Sequence, residues 1–331
     1  MSRRVPRKTC LAALALLSLL LSAGGCSDGS GGNGEKRNAP VVLGFSQIGA
    51  DANWNAANTE SIRKAARESG IELRLEDADR SQVKQRAALR AFVSQRVDVI
   101  AFSPVVETGW EVVLREIRSA GIPVILMDRT IEISDDSLYV SMIGSDFVEE
   151  GRRAARWLLE HTPKDAGEMG IVELQGTVDS APAINRSRGF FEVLASDGRF
   201  RLVRSESADF EFSRARELMA GFLQTNGRHI RVVFAHSDPM ALGAIESIEA
   251  AGYKAGSDIL VISIEGSRKG LEAILAGKLN VSVECSPLLG PQLVAVVKDL
   301  AAGKPVPRRV VTQESVFTRE NAAMELPNRA Y

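Results

Sequence analysis

The chain has 331 residues, 45% of them hydrophobic and 25% charged, which is typical of a globular α/β protein and excludes a disordered or fibrous one. Its 41 basic and 42 acidic residues leave a formal net charge of −1. This balance gives no electrostatic reason to expect a nucleic-acid partner, which would require a basic surface. The length exceeds one ordinary domain and predicts about two.

The first 26 residues have the pattern of a secretory signal peptide. Basic residues at positions 3, 4, 7 and 8 precede an apolar run at 11–21, which is too short for a comfortable membrane span. Small residues then lead to Cys26, the arrangement that a lipoprotein signal peptidase recognises. We therefore expect cleavage before Cys26, lipidation of its thiol and an extracytoplasmic protein anchored to a membrane by lipid. An ordinary signal with a bystander cysteine is the alternative, and Arg3-Arg4 leaves twin-arginine export open beside the general secretory route.

The segment after the signal is predicted to be a flexible tether at 27–40, because it begins with a run of Gly, Ser and Asn. Beyond Cys26, the mature chain has one further cysteine, Cys285, so no intramolecular disulfide is expected. Cys285 follows an apolar strand and is interpreted as a packed residue rather than a nucleophile.

From residue 41 onward, short apolar runs alternate with amphipathic stretches, which predicts strands alternating with helices. The predicted strands are 41–45, 71–75, 97–102, 122–127, 139–143, 170–174, 201–205, 230–235, 259–264 and 279–284. The predicted helices are 54–69, 82–95, 110–120, 147–160, 183–195, 213–224 and 239–250, the last with Asp238 as its N-cap and Pro239 at its first position.

Continuous apolar strands separated by helices predict parallel sheets covered on both faces. There are too many strands for one sheet, so we expect an α/β fold with two doubly wound lobes joined by a hinge. Ligands bind such sheets beyond the carboxyl ends of the strands. Polar residues follow several predicted strands there: Ser46-Gln47, Asp128-Arg129, Gln175, His236-Ser237-Asp238, Glu265 and Glu284.

Four segments resemble motifs of periplasmic sugar-binding proteins of the ribose/galactose type, and the likeness covers residues 41–331. They are VILMDR at 124–129, AINRSRGF at 183–190, ADF at 208–210 and AHSDPMALGA at 235–244. PVVETGW at 104–110 and ELQGT at 173–177 are most similar to the galactofuranose-binding branch. The resemblance implies a type I periplasmic binding fold, with residues 41–144 and 285–312 in the N-terminal lobe and residues 145–284 and 313–331 in the C-terminal lobe.

The resemblance also implies a function. The chain is expected to be a monomeric, non-enzymatic protein without a cofactor, which closes on a monosaccharide and delivers it to the permease and ATPase of an ABC transporter. Carried over by position, it places ten residues around the sugar: Trp54, Asn55, Asp128, Arg129, Arg186, Phe210, Ser237, Asp238, Glu265 and Glu284. Three depart from the family's patterns: Ser237 stands in place of Asn, Glu265 in place of Asp, and Asn55 in place of the Arg of the galactofuranose branch.

These residue types suit a sugar. Aromatic rings stack on its C–H faces, carboxylates accept hydrogen bonds from its hydroxyls, and arginines donate to adjacent oxygens. Core packing of the two aromatic residues and a surface salt bridge between Asp128 and Arg129 are the alternative interpretations.

Two other functions stay open, a sugar sensor feeding a chemoreceptor or histidine kinase, and an extracytoplasmic hydrolase. The hydrolase is disfavoured because nearby arginines would keep the acids ionised, and the three histidines lack metal-ligand spacing.

Overall fold

A computed structural model of the chain describes residues 39–49 and 53–331. The predicted signal peptide, Cys26 and residues 27–38 of the predicted tether lie outside the described residues. Among the described helices, none combines the length and apolar character needed to span a membrane.

Strands and helices alternate along most of the described chain. The strands are β1 (Val42–Gln47), β2 (Glu72–Asp77), β3 (Val99–Phe102), β4 (Val124–Met127), β5 (Ser141–Gly144), β6 (Met169–Gln175), β7 (Phe200–Ser207), β8 (Ile230–Ala235), β9 (Leu260–Glu265), β10 (Val281–Glu284), β11 (Arg309–Val311) and β12 (Val316–Phe317). The helices are α1 (Asn53–Glu68), α2 (Gln82–Ser94), α3 (Glu111–Ser119), α4 (Phe147–His161), α5 (Ala181–Leu194), α6 (Phe212–Asn226), α7 (Asp238–Ala250), α8 (Arg268–Leu275), α9 (Gly290–Ala301) and α10 (Ala322–Glu325).

The strands form two six-stranded sheets, in the orders β11-β5-β4-β3-β1-β2 and β12-β10-β9-β8-β6-β7. Neighbouring strands of the first sheet are all parallel, and in the second sheet β12 pairs antiparallel with β10. The strand order reverses between β1 and β3 in one sheet and between β6 and β8 in the other. These are the switch points at which doubly wound sheets bind ligands. The predicted α/β class with two doubly wound lobes is confirmed.

Each sheet is buried on both faces by helices, and four apolar clusters result. Phe45 lies in the cluster that includes α1 and α9, and Trp110 in the cluster on the opposite face of the first sheet. Phe234 and Met219 occupy the corresponding clusters of the second sheet. Burial of such a side chain contributes about 1.5–3 kcal/mol, so these layers hold the strand ends in fixed positions.

Helix caps set where several helices begin. Asp146 caps α4 by accepting a hydrogen bond from the Glu149 backbone N–H at 3.0 Å. The N-cap of α7 is Ser237, whose Oγ accepts from the Met240 N–H at 3.4 Å. The prediction of Asp238 as the N-cap was therefore wrong by one residue, and Asp238 begins the helix itself.

The chain passes between the two sheets three times. These crossovers follow β5, β10 and β11, at residues 145–146, 285–289 and 312–315. The short strands β11 and β12, on either side of the last crossover, add one strand to each sheet and were not predicted. Both have only two or three residues, too few for a pattern of alternating polarity.

Candidate functional site

A cavity of about 210 Å³ lies where the carboxyl ends of both sheets meet. Its lining comes from loops after β1, β2, β3 and β4 of the first sheet and after β6, β7, β9 and β10 of the second, together with helices α1, α4 and α5. Seven of the ten residues predicted from the sequence line it: Trp54, Asn55, Asp128, Arg129, Arg186, Phe210 and Glu265.

Asp128 and Arg129 turn away from the end of β4 into the cavity. Asp128 has a positive φ of 61°, and its backbone N–H donates to the Ile143 carbonyl at 2.7 Å. The neighbouring strand approaches closely because Gly144 has no side chain; a Cβ there would lie 2.8 Å from the Asp128 Cα. Arg129 is held from the other side, since its Nη1 donates to the Val105 carbonyl at 3.1 Å.

Burial controls the charges of this pair. Asp128 is 6% exposed and Arg129 8% exposed. Burial raises the pKa of Asp128 to about 6, although the Arg129 charge opposes the rise, and burial lowers the pKa of Arg129. The Arg129 Nε lies 3.7 Å from Asp128 Oδ2 and has no hydrogen-bond partner in the described part of the chain. A buried donor without a partner is destabilising, so this N–H is available to a ligand acceptor.

Arg186 faces the cavity from α5 and is 3% exposed. Its Nε donates to Glu150 Oε2 at 2.7 Å and its Nη1 to the His236 carbonyl at 2.8 Å. The guanidinium also lies 5.0 Å from the centre of the Phe147 ring. Burial is the largest single effect and lowers the pKa of Arg186, but the charge and hydrogen bond of Glu150, together with the charges of Cys285 and Glu265, raise the pKa above its ordinary value. The side chain is therefore a fixed cation at the cavity wall.

Two aromatic side chains contribute apolar surface. Trp54 packs against apolar clusters of both sheets, and its Nε1 donates to the Cys285 carbonyl at 2.7 Å. Phe210 has a φ of 60°, and the Arg129 guanidinium lies 5.7 Å from the centre of its ring. Gly176 provides room for that ring, because a Cβ there would lie 1.9 Å from the Phe210 Cζ.

Glu265 ends β9 with a φ of 118°, which is strained for a residue with a side chain. Burial, and after it the charge of Asp238, raise the pKa of Glu265 well above its ordinary value. A neutral carboxyl group both donates and accepts a hydrogen bond. The raised pKa favours this neutral form of Glu265.

The structure adds cavity residues that the sequence analysis missed: Ile48, Arg80, Val105, Phe147, Thr177, Pro182, Asp209 and Cys285. Three of them form a polar group, since Arg80 Nη1 lies 3.3 Å from Asp209 Oδ2 and Thr177 Oγ1 donates to Asp209 Oδ1 at 2.6 Å. Arg80 could have been found, because an Asp-Arg pair follows both strands, Asp79-Arg80 one residue beyond the end of β2 and Asp128-Arg129 directly after β4.

Ser237 and Asp238 do not line the cavity. Ser237 is used as the cap of α7. Asp238 is fully buried, and its Oδ1 accepts from Ser263 Oγ at 2.5 Å and from Ser282 Oγ at 2.7 Å. Its Oδ2 accepts from the Ser267 N–H at 2.6 Å. Hydrogen bonds already use the oxygens of both side chains, within α7 for Ser237 and between α7 and strands β9 and β10 for Asp238, and their contact with a ligand stays a prediction.

Glu284 is also absent from the cavity lining. Its Oε1 accepts from Arg329 Nη1 at 2.6 Å and its Oε2 from the Ser315 N–H at 2.9 Å. Arg329 is 45 residues away in the sequence and lies 4.3 Å from the centre of the Phe317 ring. Glu284 therefore connects the C-terminal segment to β10, and its contact with a ligand stays a prediction.

A small cavity at the carboxyl ends of two mainly parallel sheets, with charged and aromatic groups supplied from both sides, defines a two-lobed solute-binding protein. Residues 43–305 match the family described as periplasmic binding protein domain, so the chain belongs to the periplasmic binding protein family. The members of this family bind solutes outside the cytoplasm. The chain is accordingly a binding protein and not an enzyme.

Individual relatives narrow the comparison. The chain is 38% identical to the galactofuranose-binding protein YtfQ of Escherichia coli, over 88% of this chain and 92% of that protein. A Mycobacterium smegmatis structure in complex with β-D-fucofuranose is 47% identical, with a TM-score of 0.84 over 87% of this chain and 94% of that one. The binding component of an arabinose ABC transporter from Shewanella sp. ANA-3, bound to L-arabinofuranose, is 40% identical to this chain. Its TM-score is 0.83, and the match covers 88% of this chain and 96% of that one. These matches confirm the resemblance to periplasmic sugar-binding proteins and their galactofuranose branch.

Proposed function

We propose that this chain is a monomeric lipoprotein that captures a monosaccharide in its furanose form and delivers it to the permease of an ABC transporter. The observation that carries the proposal is the convergence of Asp128, Arg129, Arg186, Phe210 and Trp54 on one cavity of about 210 Å³. A cavity of this size suits a single sugar ring better than an oligosaccharide.

The charge balance of the cavity favours a neutral ligand. Arg129 and Arg186 face the carboxylates of Asp128 and Glu150 at 3.7 and 2.7 Å. Arg80 is paired with Asp209. Burial raises the pKa of Glu265 well above its ordinary value, which disfavours a further negative charge at this wall. A sugar phosphate or sugar acid would add an uncompensated charge to this buried site, whereas a neutral sugar adds only hydroxyl groups.

The ring form is inferred from the relatives. The names of the three relatives described above refer to galactofuranose, fucofuranose or arabinofuranose. A five-membered ring with an exocyclic group is therefore the ligand class that we propose. Asn55 lines the cavity at a position where the galactofuranose branch has Arg. We therefore expect this part of the cavity wall to give the chain a sugar preference different from that of the galactofuranose branch.

Contacts across the cavity support a closing mechanism. The Glu107 N–H donates to the Asp179 carbonyl at 3.2 Å, and Arg80 meets Asp209, so loops of both sheets touch beside the site. We propose that residues 41–144 with 285–312 move against residues 145–284 with 313–331 about the three crossovers. A sugar that contacts both lobes shifts the population toward the closed form by its difference in affinity for the two states.

Isothermal titration calorimetry tests the ligand. D-galactose, D-fucose and L-arabinose, whose equilibrium solutions contain furanose forms, are expected to bind with a one-to-one stoichiometry. Methyl α-D-galactopyranoside, which is locked in the six-membered ring, is the matched control and is expected not to bind. Equal binding of D-galactose and the locked pyranoside would contradict the furanose proposal, and failure of every sugar to bind would contradict sugar capture.

Metabolic labelling with a radioactive fatty acid tests the anchor. A Cys26→Ala chain expressed in its own host is expected to carry no label, because it lacks the thiol that would be acylated. Cys10→Ala, a change within the predicted signal, is the control and is expected to keep the label. Loss of the label from both variants, or from neither, would contradict lipidation at Cys26.

Uptake measurements distinguish delivery to a permease from sensing. Cells that lack this chain are expected to lose uptake of the radiolabelled sugar and to regain it when the chain is restored. Normal uptake in its absence, together with a lost chemotactic or transcriptional response to the sugar, would favour the sensor instead.

A further inference from the structure

Glu150 is a buried carboxylate behind the cavity that the predicted site did not include. It lies in the first turn of α4, directly after the first crossover, and is 1% exposed. Its Oε2 accepts from Arg186 Nε at 2.7 Å. Its Oε1 has no hydrogen-bond partner in the described part of the chain. Glu150 itself does not line the cavity, but it forms an ion pair with Arg186, which does.

Behind Glu150 lies a group of side chains that we call the hinge cluster, made of Ser145, Glu150, Cys285 and Glu314. One carboxylate oxygen each of Glu150 and Glu314 and the Sγ of Cys285 all lie within 4.8 Å of one another. Ser145 Oγ donates to Glu314 Oε1 and lies 3.4 Å from Cys285 Sγ. Ser145, Cys285 and Glu314 belong to the first, second and third crossovers. The hinge cluster therefore connects all three crossovers to the guanidinium at the cavity wall.

We propose that Glu150 is a positioning residue for sugar recognition, which holds Arg186 at the cavity wall and ties it to the crossovers. The proposal rests on the proposed sugar-binding function. Arg186 has two other supports, the His236 carbonyl at Nη1 and the Phe147 ring. Both are neutral, so Glu150 supplies the charged hydrogen bond. Charge-assisted bonds of this kind are the stronger ones, and a flexible arginine side chain depends on them for a single orientation.

The donor types of the hinge cluster would also suit a metal cation, but its electrostatics favour a hydrogen-bonded cluster. Arg186 already neutralises Glu150 at 2.7 Å. Burial raises the pKa of the Cys285 thiol well above its ordinary value, and burial and the Glu150 charge raise the pKa of Glu314 to about 8. Glu314 further accepts hydrogen bonds from Thr312 Oγ1 at 2.9 Å and the Ser286 N–H at 3.3 Å.

A double-mutant cycle on sugar affinity tests the proposal. Calorimetry is performed with whichever of D-galactose, D-fucose and L-arabinose the unmodified protein binds most tightly. Glu150→Gln and Arg186→Lys are each expected to weaken binding by about 10- to 100-fold, the range of one charge-assisted hydrogen bond. The double variant is expected to bind the sugar almost as tightly as whichever single variant binds it less tightly. The reason is that both changes remove the same interaction. A purely structural role would instead give additive effects.

Glu149→Gln is the matched control, since it makes the same change one residue away on α4, at a side chain that pairs with Arg153 and Arg156 rather than with Arg186. Its affinity is expected to stay within about twofold, as for other surface pairs. Glu150→Asp keeps the charge and is expected to recover part of the affinity. It also carries the test if Glu150→Gln does not fold, which thermal denaturation establishes.

Two results would overturn the proposal. One is a folded Glu150→Gln, or a folded Glu150→Asp in its place, with unchanged affinity. The other is full additivity in the cycle. If the unmodified protein binds none of the three sugars, the proposed function fails instead, and the two failures are thereby separated.

Discussion

Arg80 Nη2 lies 2.8 Å from Glu211 Oε1, although the two residues are 131 positions apart and belong to loops of different sheets. The Nη1 of the same side chain meets Asp209 at 3.3 Å. Arg80 also lines the cavity, so one side chain both touches the binding site and joins the two sides of the cleft.

The Arg80 pairs are expected to favour the closed form weakly and in a salt-dependent manner. About a third of the Arg80 side chain is exposed, and exposed pairs contribute roughly 0–1 kcal/mol. Arg80→Gln is therefore expected to weaken sugar binding by up to about fivefold at low ionic strength, with a smaller difference at 0.5 M salt. Arg90→Gln breaks a surface pair with Glu116 on the same lobe and is the control for calorimetry at both salt concentrations. An Arg80→Gln effect that does not change with salt would contradict this account.

Sugar affinity is expected to fall below pH 6, because burial raises the pKa of Asp128 to about 6 and the protonated group is a weaker acceptor. If only the carboxylate binds, each further pH unit lowers affinity by about tenfold. Calorimetry between pH 5 and 8 measures this profile. Asp128→Asn is expected to bind weakly at every pH and to lose the slope. A wild-type profile that is flat from pH 5 to 8 would show that Asp128 does not contact the sugar as an anion.

Glu314 is expected to make the folded state less stable as pH rises from about 4.5 to about 8. Its pKa is about 8 in the folded protein against an ordinary 4.5, so the folded state holds the proton more strongly across this window. Stability is therefore highest below the window and declines through it. Glu314→Gln, which is neutral at every pH, is expected to lose this part of the decline in Tm measured from pH 4 to 9. Parallel curves for the two proteins would place the Glu314 pKa near its ordinary value.

Asp238→Asn is expected to reduce stability and to leave sugar affinity unchanged. The carboxylate accepts three hydrogen bonds inside the second lobe, and an amide cannot accept all three. Loss of one buried partner costs about 1–3 kcal/mol, which urea denaturation can measure. Glu246→Gln, at an exposed site on the same helix, is the control. A stable Asp238→Asn variant with weakened sugar binding would restore the role that the sequence predicted.

Gly176→Ala is expected to weaken sugar binding by displacing the Phe210 ring. The new methyl group would lie 1.9 Å from the Phe210 Cζ, so the ring must move. Loss of its stacking and of its contact with Arg129 corresponds to about 1–2 kcal/mol, or roughly tenfold in affinity. Gly167→Ala adds the same methyl group where no atom lies within 4 Å, and calorimetry should find it neutral. Equal affinity of Gly176→Ala and the unmodified protein would remove Phe210 from the proposed site.

Local sequence patterns predicted most of the strands and helices because each strand is a short apolar run between amphipathic helices. The lengths of these elements and the number of strands also predicted two doubly wound lobes. The strands β11 and β12 were missed because their two or three residues carry no periodic pattern of their own. They are stabilised by pairing with β5 and β10, which are far away in the sequence.

Seven of the ten predicted site residues line the cavity, and two of those outside it lie there for a common reason. Position after a strand identified Asp128, Arg129 and Glu265, which do line the cavity. The same rule selected Asp238 and Glu284, whose carboxylates are used by serine hydroxyls and by Arg329. A strand end is visible in the sequence, but the partner that its side chain meets is not.

The sequence alone determined the lobes, their strand ends and the kinds of side chain available there, because these follow from local periodicity and from motifs of adjacent residues. Only the tertiary structure decided which polar groups face the cavity and which face the interior. It brought Arg80 to Asp209 and Arg329 to Glu284 across long stretches of chain. The physical reason is that a buried charge must find a partner, and that partner is selected by packing of distant segments rather than by neighbours in the sequence.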